Sequence, residues 1–110
     1  MKIPNSVRIG GIEYAIEHRE NVRNGNQLCY GLICYDDSTI TLSTSDGAGH
    51  QHQCLTLWHE ILHGILEHAS HHIDDEEEVV EIISKGIYQV LQDNGRRFFD
   101  IAGGDKIADQ

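Results

Sequence analysis

Trp58-His59-Glu60-Ile61-Leu62-His63-Gly64-Ile65-Leu66 crosses the middle of a 110-residue chain, and its two histidines stand four positions apart. On a helix that spacing places one imidazole a turn above the other on a single face, so both nitrogens can reach one zinc ion at about 2 Å each. Glu60 is rotated about 100° from His59, too far aside to be the natural third ligand but within reach of a metal-bound water, where a general base belongs. A His-Glu-x-x-His match arises by chance in about one chain in twenty of this composition, so the context has to carry the reading. It does: Ile61 and Leu62 are apolar, and Leu55, Leu62 and Leu66 lie near the histidine side, so both rings face the interior. The plain alternative is a buried neutral histidine pair satisfied by hydrogen bonds.

Working outward, Gln51 to about His68 contains no proline and is apolar on most sides, as a central helix of a small domain should be. Asp74-Asp75-Glu76-Glu77-Glu78 then places negative charge on the first turn of a second helix, whose end is signalled by Asn94-Gly95. The short loop between them makes the helices antiparallel neighbours, with Gly64 and Gly86 as points of close approach. Upstream, Val7-Arg8-Ile9, a Gly10-Gly11 turn and the alternating Ile12 to Glu17 read as a hairpin. Leu28 to Tyr35 and Thr39 to Ser43 read as two further strands joined by Asp36-Asp37-Ser38. The expectation is one α+β domain over residues 1–110: a small antiparallel sheet of three to four strands followed by two antiparallel helices, the first carrying the histidines, with a frayed tail from Gly103 to Gln110.

A third ligand must come from outside the motif, and the acidic start of the second helix is the natural donor because the helical hairpin returns it to the first. Glu76, Glu77, Glu78 and Glu81 compete for the place. Glu76 and Glu77 flank the apolar stripe of Val80, Ile83, Ile87, Val90 and Leu91, whereas Glu78 and Glu81 point largely away from it. Depth favours Glu81, since a long first helix sets the metal level with it. The residues alone leave Glu76 and Glu77 equal, and most of these carboxylates need do no more than complement the helix dipole.

The other histidines are read as structural or solvated. His68 is turned about 140° from His63, His52 shares the His59 face about 10 Å up the axis, and His71 and His72 fall in the loop, from which a ring can swing towards an oxyanion. Leu66 and Ala69 stand where a metzincin would place a glycine and a histidine, which excludes that family. Cys29, Cys34 and Cys54 have neither zinc-ribbon nor redox spacing and read as reduced thiols. A net charge of -10, from 18 acidic against 8 basic residues, argues against nucleic acid and against anionic lipid as partners. The polar start Met1 to Ser6 does not look like a signal peptide and no apolar run approaches a membrane span, so the expected compartment is a cytoplasm.

Strands, then the His59–His63 motif, then a short loop and a glutamate-led helix: this order resembles the minimal gluzincin zinc peptidases of phages and prophages, relatives of the ImmA/IrrE type, over roughly residues 7 to 95. The second helix of such proteins tends to read Glu-x-x-Val-x-x-hydrophobic-small, matched here by Glu77, Val80, Ile83 and Ser84. The resemblance therefore implies Glu77 as third zinc ligand beside His59 and His63, Glu60 as general base, and a peptide or protein as substrate, bound extended along an edge strand for which Thr39 to Ser43 is the candidate. Ile61 and Leu62 depart from the small residue and glycine often found inside the family's motif. A second function class fits the same residues: a non-catalytic zinc-stabilised binding module, its metal closed by His68, His71 or His72.

Overall fold

The computed structural model describes residues 1–45, 47–70 and 72–102. Strands β1 (Ser6–Ile9) and β2 (Ile12–Arg19) form a hairpin in register Ile9 to Ile12. The Gly10-Gly11 connection has φ of 58° and 84°, a pair of positive values that suits a tight turn between twisted strands and that side chains resist. Strands β3 (Arg23–Asn24) and β4 (Gln27–Leu28) make a separate two-stranded ribbon, and β5 (Gly31–Cys34) and β6 (Thr39–Ser43) pair across the Asp36-Asp37-Ser38 turn. Helices α1 (His50–His68) and α2 (Glu76–Ala102) complete an α+β chain in the expected order of elements. The tail expected to fray from Gly103 lies outside the described residues.

The main sheet runs β1-β2-β6-β5 and is mixed, where strands adjacent in sequence were expected to pair antiparallel throughout. β6 enters between β2 and β5 and runs parallel to β2, with Ile16 opposite Ile40. Residues 20–38 separate the two strands, enough chain for the crossover that a parallel pair requires. Burial gives the reason for the insertion. Ile40 and Leu42 are fully buried, and only a central strand covered by α1 can enclose both, together with Ile9, Tyr14 and Leu57. Thr39 to Ser43 is therefore an interior strand and cannot be the substrate-binding edge. The edges are β1 and β5.

The single strand expected over Leu28 to Tyr35 is also divided, its first residues going to the ribbon and Gly31 opening β5. A Cβ at Gly31 would collide with Thr56 Cγ2 and lie 3.3 Å from Glu60 Oε2, so glycine is what lets this edge strand run hard against α1. Gly64 has a similar use, though not the one expected of it. A Cβ there would sit 3.1 Å from Ile33 and Ile9, so it brings α1 close to the sheet, while Gly86 faces nothing within 4 Å. Nor does α2 stop at Asn94-Gly95: it continues to Ala102, because Arg96-Arg97-Phe98 has no helix breaker and one mid-helix glycine costs only about 1 kcal/mol. Among the described residues no helix is long and apolar enough to cross a membrane.

Candidate metal centre

The motif lies in the interior-facing part of α1, and α2 returns beside it in the opposite direction, so that Glu76 meets His63 while Glu81, further along, meets His59. Three carboxylates of one helix thereby serve two histidines of the other, each in a different way. His63 Nδ1 lies 2.7 Å from Glu76 Oε2, and His59 Nδ1 lies 3.1 Å from Glu81 Oε1. An ionised carboxylate only accepts, so in both rings Nδ1 carries the proton and donates it. That leaves both Nε2 atoms on the other side, 3.2 Å apart, and both aimed at Glu77, whose Oε1 is 2.9 Å from His63 Nε2 and whose Oε2 is 3.1 Å from His59 Nε2.

Two arrangements of charge satisfy these distances. In one, at least one ring is imidazolium, either donating its Nε2–H to the other ring's nitrogen at 3.2 Å or, with both charged, facing a second N–H there. In the other, two nitrogen lone pairs and a carboxylate converge on a cation. A tetrahedral zinc ion with bonds of about 2.0–2.1 Å holds its ligands about 3.3 Å apart, close to the spacing found, and nitrogen and oxygen donors of this kind suit it. The orienting partner on each Nδ1 is what a ligating histidine ordinarily has. His59, His63 and Glu77 can thus hold a metal ion, and among the described residues no other group of three histidine, cysteine or acidic side chains gathers its ligand atoms in this way.

Glu60 is 7% exposed at the base of a cleft of about 670 Å³ that also takes in His59, His63, Glu77 and Glu81. Burial, with a smaller push from the Glu77 charge, lifts its carboxyl above the usual range against the lowering by the His59 and His63 charges and the Ile33 N–H. His63 is moved upward too: burial lowers it, but the bonds to Glu76 and Glu77 and the charge of Glu60 outweigh that. An acidic residue buried in mid-helix needs a reason, and access to this cleft supplies one.

The four-way competition expected in the acidic cluster resolves into a division of labour. Glu77 faces both histidines, Glu76 and Glu81 each orient one, and Glu78 remains exposed. Depth and helix rotation had each identified a real partner, but of different histidines. The remaining histidines mostly lie away from this centre. The side chain of His68 meets the buried Tyr14 hydroxyl at 2.7 Å, and exposed His72 pairs with Asp74; His71 is outside the described residues. His52 was read as distant, yet it lines the same cleft, stacked on Tyr30 with ring centroids 4.2 Å apart and Nδ1 held 3.4 Å from Thr56 Oγ1. Its spacing of seven from His59 signalled the shared face. Nothing local in the sequence signalled Tyr30, because β5 brings it there. Cys29 reaches the cleft with its thiol directed to the Val22 carbonyl, and all three cysteines are free thiols. No protein-family model, curated protein or solved structure matches the chain.

Proposed function

We propose that this chain is a zinc-dependent hydrolase, most simply a peptidase, with His59, His63 and Glu77 as the metal ligands and Glu60 as the general base. The observation that carries the reading is the convergence of two Nε2 lone pairs and one carboxylate at about 3 Å spacing, each histidine being turned to that point by a carboxylate of its own. When bound, zinc would act as a Lewis acid towards a carbonyl oxygen and make a water acidic enough to lose its proton near neutral pH. Glu60 supports the reading by its place: the carboxylate is ready to accept that proton, and its raised pKa makes it a stronger base than an exposed glutamate. Glu76 and Glu81 keep the two rings in one tautomer and orientation.

A substrate would enter the cleft along β5. It is an edge strand, and Gly31 and Leu32 line the cleft beside Glu60, so an extended peptide could pair with its free main-chain groups. By the same resemblance the protein is proposed to be a phage or prophage product acting in a bacterial cytoplasm, on a peptide or protein and not on nucleic acid. The alternative, a zinc-stabilised binding module, needs a fourth protein ligand. Of the three histidines considered for that role, His68 is engaged by Tyr14, His72 is exposed beside Asp74, and His71 is outside the described residues.

The decisive experiment compares wild type with Glu60→Gln on a mixed peptide library, with zinc content measured alongside. Glu60→Gln is expected to keep zinc and fold but lose cleavage by about 10² or more. A zinc-loaded wild type that leaves the library uncut, with a histidine filling the metal's fourth position, would replace the enzyme with the module.

A further inference from the structure

Among the described residues, the domain packs against one face of helix α2. Val80 and Ser84 are 1% exposed on the face packed inwards, with Ile87, Tyr88 and Leu91 half-buried nearby. Around the flank of the helix, Val79, Ile82, Ile83 and Val90 are 36%, 62%, 47% and 42% exposed. Val79, Ile83, Gly86 and Val90 follow one another at intervals of four, three and four, the spacing of a seam along which one helix meets another. Ile82, Ile83, Gly86, Val90 and the exposed Phe98 border an apolar groove of about 750 Å³. The helix is also longer than its neighbour in the hairpin, 27 residues against 19, so its far end has no α1 beside it.

Gly86 is an independent observation. A Cβ there would meet nothing within 4 Å, so no contact among the described residues asks for glycine, and only proline is worse in mid-helix. What the missing side chain permits is an approach from outside, a second helix crossing at about 8 Å.

Charge indicates which helix. Arg97 lies eleven residues after Gly86 and at about 100° per residue projects within roughly 20° of its direction, while Asp75, eleven residues before, stands at the head of the helix and its carbonyl accepts from the Val79 N–H. If two copies of α2 cross antiparallel about a two-fold axis at Gly86, Arg97 of each copy falls beside Asp75 of the other, and Val90 against Ile82. A parallel pair would instead stack Asp75 on Asp75 and Arg97 on Arg97, which a chain of net charge -10 can least tolerate. Beyond Val90 the next seam position is Asp93, whose carboxylate is already taken by Gln89 Nε2 at 2.7 Å.

We propose that the exposed face of α2 is a homodimer surface, with two copies of the chain crossing antiparallel at Gly86. One helix per protomer makes a small interface, below roughly 1,200 Å² in total, so association in the micromolar range is expected. The test is sedimentation equilibrium of the full chain from about 1 to 200 µM, alongside Gly86→Leu, Arg97→Glu and the charge-swapped double variant Asp75→Arg/Arg97→Glu. Wild type should approach twice 12.4 kDa at the upper concentrations. Gly86→Leu should remain monomeric throughout while its circular dichroism shows an intact and no less thermostable fold, since the leucine has open space in the monomer. Arg97→Glu should weaken association about tenfold, and the double variant should restore it, a rescue that only the antiparallel register predicts. Three results would overturn the proposal: a wild type that stays monomeric to 200 µM; a dimer indifferent to Gly86→Leu; or a monomer that begins to associate only when cut after Ala102, which would make the chain's own C-terminal residues the cover for this face.

Discussion

His59 and His63 stand on α1 with 16% and 17% of their side-chain surface open, whereas Glu77, which meets both of them, stands on α2 with 74% open. α1 is held against the sheet by Leu57 and by the close approach at Gly64, and its rings are fixed by packing and by carboxylates on Nδ1. Glu77 has no such cover, although Glu76 and Glu81 on either side of it tie α2 to the same two rings. The contrast implies a site made of a preformed half and an adjustable half: two nitrogens set in place by the fold, and a carboxylate whose position costs little to change.

The ligand substitutions test that contrast most strongly. Wild type should carry about one zinc per chain, and His59→Ala or His63→Ala should abolish it, because each removes a preorganised donor from a set of three. Glu77→Gln should weaken zinc binding by roughly a hundredfold, without removing it, since the two fixed nitrogens remain. Metal analysis after dialysis checks both, and equal zinc in wild type and the alanine variants would eliminate the centre. The orienting carboxylates come next: Glu76→Gln and Glu81→Gln should each cost about 10 to 100-fold in zinc affinity, measured by competition with a chelator, with Glu78→Gln near wild type. If Glu81→Gln proves more damaging than Glu77→Gln, Glu81 is the ligand and Glu77 the support.

The preformed half was the legible half. His59, Glu60 and His63 could be placed from spacing alone because a helix fixes which residues share a face, whatever surrounds it. The hairpin of Ile9 and Ile12 was legible for the same reason: Gly10-Gly11 and alternation are local signals. What could not be read depended on contacts between elements distant in sequence. No local pattern tells Ile40 and Leu42 that their strand lies between β2 and β5, so the sheet was expected antiparallel and the wrong strand was taken as the edge. Likewise helix rotation favoured Glu76 or Glu77 and depth favoured Glu81, and without the crossing of α1 and α2 neither could show that all three take part. Gly64 and Gly86 looked alike as small residues on a helical hairpin; only the packing separates a glycine pressed by Ile9 and Ile33 from one facing open space.

Those two glycines therefore give a sharper comparison of the helices, at the level of stability. Gly64→Leu must push aside Ile33 and Ile9, whose tips would lie 3.1 Å from a new Cβ alone, and should destabilise the domain by about 3 kcal/mol. Gly86→Ala meets nothing and gains the helix preference of alanine, so it should stabilise by about 0.5–1 kcal/mol. Urea unfolding of zinc-free protein reads both. Opposite signs are the expectation, and a Gly64→Leu variant as stable as wild type would mean that α1 is not locked to the sheet as the contacts indicate.

The smallest expected effect concerns Glu60 in the metal-free protein, and its sign follows from where the carboxyl sits. Burial, helped by the Glu77 charge, raises its pKa above the ordinary 4.5 against the lowering by His59 and His63, so the folded state binds this proton more tightly than the unfolded chain does. A group shifted in that direction contributes stability that is fully present below about pH 4.5 and is lost as pH rises through the folded value. Glu60→Gln removes the titration while keeping the shape. With chelator present, the variant and wild type should melt at nearly the same temperature around pH 4, and the variant should melt higher at pH 9. His63 is shifted upward and loses its own contribution in the same direction, partly through the charge of Glu60, so the upper measurement belongs well above the ordinary histidine range, where the two titrations no longer mix. A variant that melts lower than wild type at pH 9 would show that the ionised carboxylate is stabilised in the folded cleft, by His59, His63 and the Ile33 N–H, more than burial opposes it. Glu60 would then be a structural anchor between α1 and β5 before it was anything else.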